Sequence, residues 1–144
     1  MGVTKRGKGT KIMVVGDRAG LPLAIHVASA AAAEVTLVEA TVASCFTTAL
    51  PARLIGDKAY DADPLDAELK AWGIELIAPH RRNRVRPKTQ DGRALRRYRR
   101  RWKVERLNAW LQNYRRVLVR WDYHLENFLG FVQLACVLML LRHL

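Results

Sequence analysis

The chain has 144 residues, half of them hydrophobic, with 25 Lys or Arg against 13 Asp or Glu and a net charge of +12. That is the length of one domain with enough apolar residues for a core, which excludes a disordered tail. The excess charge is concentrated in residues 81–106, where thirteen Lys or Arg face only Asp91 and Glu105, and the rest of the chain is nearly neutral. A cationic segment on a neutral body is the footprint of a polyanion partner, and nucleic acid is expected over a merely solvated helix face because neutralised phosphates release counterions.

The N-terminus, "MGVTKRGKGTK", has charges but no following apolar run, so no signal peptide is expected. Residues 11–28 read as a β-hairpin, with Ile12, Val14 and Val15 leading into Asp17-Arg18-Ala19-Gly20 and Leu21 to Val27 leading out. Val35, Val38, Val42 and Cys45 stand at helical spacing in an Ala-rich stretch, which predicts a helix near 32–47. "RLIGD" (53–57) reads as a short buried strand ending in an acid. A helix follows, with Asp63 as expected N-cap, Pro64 in the first turn and Gly73 past the end, and "IELIAP" is a further strand. Residues 81–91 are a basic, breaker-rich loop, 92–114 one long helix, and 125–142 a buried C-terminal helix.

The apolar run 128–141 is too short to span a bilayer, so no membrane segment is expected. Cys45 and Cys136 have no metal-ligand spacing and read as core thiols of a reducing, cytoplasmic compartment. The order β-β-α-β-α-β-α-α describes an α/β domain with a mixed sheet, flanking helices and an all-helical C-terminal end.

On a helix turning about 100° per residue, Tyr98, Arg101, Glu105 and Gln112 fall within an arc of about sixty degrees. Val104, Leu107, Leu111 and Tyr114 form a separate apolar stripe facing the core. Glu105 has two readings: an i,i+4 ion pair with Arg101, or a cation ligand. Asp57, at the end of a strand, either caps a turn or stands where open α/β sheets hold ligands. Two carboxylates beside a basic surface suit a hard divalent cation such as Mg²⁺.

With these residues on the page, the chain resembles the C-terminal part of the DDE transposases of bacterial insertion sequences. "GDKAYDADPL" resembles the stretch around that family's second catalytic Asp, and "RRYRRRWKVERLNAWLQNYRR" the stretch around its catalytic Glu. "ENFLGFVQLACVLMLL" is similar to the closing helix, and "GTKIMVVGDRAGLPL" to the hairpin after the first catalytic strand. Tyr98, Arg101 and Glu105 fill three positions of the family's Tyr-x2-Arg-x3-Glu-x6-Lys signature, and Gln112 stands where Lys is expected.

The resemblance implies an RNase H-like fold, Asp57 and Glu105 as catalytic Mg²⁺ or Mn²⁺ ligands, and Tyr98 and Arg101 as contacts to insertion-sequence DNA. Arg97, Arg99, Arg100, Lys103 and Gln112 are expected to join that DNA surface. The family's first catalytic Asp precedes the hairpin, so the resemblance also implies an incomplete fold with its first central strand missing. Asp17 reads as turn chemistry and not as a replacement. The expected function is metal-dependent DNA strand cleavage and transfer, inactive in this chain alone, oligomeric when active and completed by an upstream transposase segment. The alternative is a non-catalytic DNA-binding remnant or regulator of transposition; an RNA-binding protein of the ribosomal kind is a distant third.

Overall fold

The computed structural model describes residues 2–4, 7–90 and 92–144; Met1, Lys5 and Arg6 of the N-terminal lead-in, and Asp91 of the basic loop, lie outside the described residues. The chain divides into two compact units, Met1–Thr47 with Lys103–Leu144, and Thr48–Trp102.

In the first unit, β1 (Gly2–Thr4), β2 (Gly7–Gly16) and β3 (Pro22–Ser29) form an antiparallel sheet in that order. The β2–β3 hairpin pairs Thr10 with Ser29 through to Val15 with Ala24, and its register shifts at Gly16. The strand β1 was not foreseen. The helix expected over 32–47 is much shorter: a 3-10 turn, Glu34–Leu37, leads into α1 (Val38–Ala43). Past its end the Ser44 hydroxyl lies 2.7 Å from the carbonyl oxygens of both Ile25 and Thr41, and its one proton can serve either. Cys45 then bridges Ala24, so it is a half-buried sheet-edge residue and not a core thiol.

The second unit contains β4 (Arg53–Ile55) and β5 (Glu75–Ile77), paired in parallel with Leu54 opposite Leu76. The strands of the described residues thus form two small sheets, where one mixed sheet was expected. Between β4 and β5 lies α2 (Asp63–Ala71), with Pro64 in its first turn and Leu65 and Leu69 buried. Its N-cap is Ala62, not Asp63, because the Asp63 carboxylate is drawn to Arg84 and Arg86. Gly73, at φ 76°, takes the left-handed conformation that closes the helix, and Ile74 N–H donates to the Leu69 carbonyl at 2.8 Å.

The single helix expected over 92–114 is broken into α3 (Gly92–Leu95), a 3-10 turn over Arg96–Arg101, and α4 (Trp102–Gln112). An uninterrupted α-helix would set Arg96 over Arg100 and Arg97 over Arg101, and like charges at that spacing oppose it. The rotation that put Tyr98, Arg101, Glu105 and Gln112 on one face is therefore not kept through this segment.

After α4 come α5 (Arg115–Leu118) and α6 (Leu125–Leu141). The apolar stripe of α4 supplies Leu107 and Leu111 to a core with Ile25 and Val27 of β3, Val117 of α5, and Phe128, Val132, Ala135, Cys136 and Met139 of α6. Each fully buried Leu or Phe side chain there contributes about 1.5–3 kcal/mol. The helix α6 is buried on that side only; Leu134, Val137, Leu138 and Leu141 on its other side are exposed, which corrects the expectation of a buried helix. Among the described residues no helix is long and apolar enough to cross a membrane.

Candidate nucleic-acid interface and its carboxylates

Asp17 is spent on the hairpin turn. Its Oδ1 accepts the N–H groups of Ala19 and Leu21, each at 2.8 Å, while Gly20 N–H donates to its carbonyl at 3.0 Å. Gly20 sits at φ 87°, which an L side chain resists. The outer carbonyls of this turn are taken by the basic helix: Lys103 Nζ donates to Arg18, and Arg106 Nη2 to Ala19 at 2.8 Å. The Arg106 guanidinium also lies 4.6 Å from the centre of the Trp110 ring. Lys103, expected on the DNA surface, thus has a structural task at the hairpin tip.

The basic loop is likewise partly turned inward. Arg84 forks between two carboxylates, donating from Nη1 to Asp61 at 2.7 Å and from Nη2 to Asp63 at 2.6 Å. Arg86 donates to the other Asp63 oxygen at 2.9 Å. The second Asp61 oxygen accepts the Arg81 N–H at 2.7 Å, and the Arg81 guanidinium donates to the carbonyls of Lys58 and Ala59. His80 Nδ1 lies 2.9 Å from Asp61, and its Nε2 accepts the Thr89 N–H at 3.2 Å, which in the neutral ring puts the proton on Nδ1. Burial pushes the Asp61 carboxyl up, but the Arg81 N–H, His80 and Arg84 outweigh it and hold the group below the usual carboxylate range. Hydrogen bonds from Arg86 and Arg84 hold Asp63 low as well. Composition could not show that Arg81, Arg84 and Arg86 serve the fold.

Asp57 follows β4 and caps the 3-10 turn Lys58–Tyr60, its Oδ1 accepting the Ala59 N–H at 2.7 Å. The preceding Gly56 leaves room for Tyr60, since a Cβ there would lie 2.8 Å from its ring. The capping reading of Asp57 is thus satisfied. The Arg96–Arg101 turn lies beside β4, the strand that leads to Asp57. Three residues per turn align positions i and i+3, and the Arg101 guanidinium accordingly lies 5.6 Å from the Tyr98 ring centre. Arg96, Arg97, Arg99 and Arg100 are exposed.

Glu105 and Gln112 are exposed on α4, in the first unit, whereas Asp57, Tyr98 and Arg101 belong to the second. Gln112 borders an open cavity of about 650 Å³ with Thr10, Asn108 and Arg120. Asp57 and Glu105 each carry the carboxylate oxygens that hard divalent cations take, and no group of three or more His, Cys, Asp or Glu that could hold a metal ion occurs among the described residues.

The family model of the transposase DDE domain matches residues 3–140. The chain is 30% identical over 139 residues to a protein named as transposase for insertion sequence element IS402 in Burkholderia cepacia; the match covers 91% of this chain and 62% of that protein. It is 37% identical over 91 residues to one named as transposase for insertion sequence element IS6501 in Brucella ovis, covering 62% of this chain and 67% of that protein. The chain therefore spans less than two thirds of the first relative's length. No solved structure gives a significant match.

Proposed function

Because the chain belongs to the DDE transposase family, we propose that it is the C-terminal catalytic segment of a bacterial insertion-sequence transposase with an RNase H-like fold. The reaction is DNA strand cleavage and transfer at insertion-sequence ends. A hydroxyl oxygen forms a bond to a backbone phosphorus and the opposite P–O bond breaks, releasing a 3′-hydroxyl that attacks target DNA in the same way. The observation that carries the reading is the exposed Arg97, Arg99 and Arg100 in a turn that also holds Tyr98 and Arg101 and lies beside the strand leading to Asp57.

Asp57 and Glu105 are the catalytic carboxylates and the ligands for Mg²⁺ or Mn²⁺, which when bound would activate the attacking oxygen and offset charge on the leaving one. Arg97, Arg99, Arg100 and Arg101 neutralise phosphates near the scissile bond, and the Tyr98 hydroxyl can donate to a phosphate oxygen. Gln112 can do the same without adding charge. Lys103 takes only a minor part because of its bond to the hairpin tip.

Two carboxylates do not fix two ions side by side, and Asp17 is committed to its turn. A third carboxylate is proposed to come from an upstream transposase segment, with assembly as an oligomer in the cytoplasm. The same commitment of Asp17 favours a second reading, a DNA-binding regulator without catalysis.

One experiment separates the two. Purified alone, the chain is expected not to cleave insertion-sequence ends at any Mg²⁺ or Mn²⁺ concentration. Mixed with the upstream segment it is expected to cleave, and Asp57→Ala or Glu105→Ala should abolish that activity. Cleavage that survives both substitutions would sink the catalytic assignment, and no cleavage even with the upstream segment would favour the regulator.

A further inference from the structure

The segment after α5 inverts the usual partition between water and core. Trp121 and Tyr123 are 76% and 85% exposed, while the Asp122 Oδ2 between them is buried without a hydrogen-bond partner. Transfer free energy favours the opposite arrangement, rings inward and carboxylate outward. The loop is held this way by Arg120. Its Nε donates to the Asp122 carbonyl at 2.8 Å, its Nη2 to the Tyr123 carbonyl at 2.6 Å, and its Nη1 to the Thr10 hydroxyl of β2 at 2.7 Å. The same guanidinium lies 5.8 Å from the centre of the Phe128 ring, so the fork is tied to the core as well as to the sheet. Tyr123 has a further edge-on contact with His124, centroids 5.2 Å apart. Both rings are therefore displayed from an anchored backbone.

Resting on the DNA-acting function above, we propose that Trp121 and Tyr123 form a stacking platform for unpaired bases of single-stranded DNA, as arises where a duplex end is opened. Unpaired DNA offers the two features this surface matches: flat π faces for exposed aromatic rings, and a phosphate chain for nearby cations. Arg115 and Arg116 on α5 are exposed just ahead of the loop, and the only acid in residues 115–123 is Asp122, whose Oδ2 is buried. A second copy of this +12 chain would bring like charge against the patch, whereas DNA brings opposite charge. Arg120 is a positioning residue: it sets the direction of the rings and need not touch the base.

The test is fluorescence anisotropy of the purified chain with a thymidine oligonucleotide of about twenty nucleotides and with a duplex of the same length, comparing Trp121→Ala and Tyr123→Ala with the parent. Each substitution is expected to weaken single-strand binding about tenfold and to change duplex binding less than twofold, the scale of one lost base–aromatic stack. Equal losses on both DNA forms, no loss on the single strand, or no single-strand binding by the parent would overturn the proposal. So would unchanged DNA binding with an altered sedimentation coefficient, which would make the patch a protein contact. Failure of the parent to bind duplex DNA would instead count against the DNA-acting function itself.

Discussion

Arg84 shows how a single residue can be misjudged by its charge. In composition it is one of thirteen cations available to phosphate, whereas in the fold its side chain is 10% exposed and paired with Asp61, itself 6% exposed. Removing one partner of the pair leaves the other charge without its counter-ion, so Arg84→Ala should destabilise the second unit, read as a lower midpoint in denaturant unfolding. The pH dependence follows from the depressed carboxyls of Asp61 and Asp63. Their stabilisation is fully present above the unfolded Asp value of about 3.9 and is lost as pH falls through the lower folded values. Circular dichroism should therefore show acid unfolding setting in below about pH 4 in the parent and at higher pH in Arg84→Ala. An unchanged acid limb would show that this network contributes nothing.

At the scale of elements, the hairpin tip and the basic helix stabilise each other. The turn needs Gly20 for its positive φ, and a Cβ there would lie 2.8 Å from Arg106 Nη2, whose group bonds the Ala19 carbonyl. Gly20→Ala should cost about 1–2 kcal/mol, more than the usual conformational term, because it strains the backbone and displaces that bond. Thermal unfolding would measure it, and a Tm equal to the parent's would refute it. The hairpin was readable in the sequence because strand alternation and a turn of Asp and Gly are local signals. The break in the expected 92–114 helix was not, because periodicity records where apolar residues fall and is blind to mutual repulsion among five arginines within six residues.

For the whole molecule, the quantity that matters is how much of the +12 charge remains free for DNA. Arg81, Arg84, Arg86, Lys103 and Arg106 all have internal hydrogen-bond partners. The exposed Arg96, Arg97, Arg99 and Arg100 are the strongest candidates for phosphate contact. If each neutralises one phosphate, log K for duplex DNA should fall with log salt at a slope of about −3 to −4, and removing Arg99 and Arg100 together should reduce its magnitude by about two. Glu105→Gln should leave duplex affinity no weaker, since it removes a negative charge. Binding independent of salt would refute the electrostatic account.

The sequence by itself determined the family, the hairpin, the apolar stripe of α4 and the location of the excess charge. Each is written in local spacing, in composition or in a short motif. Only the tertiary structure decided which charges are spent within the fold. It also decided that α6 buries one side alone, and that an arginine fork displays Trp121 and Tyr123 to solvent. Those outcomes depend on partners many residues apart in sequence, such as Arg84 with Asp61 or Arg120 with Thr10, and a hydrogen bond between distant residues leaves no periodic trace in either segment.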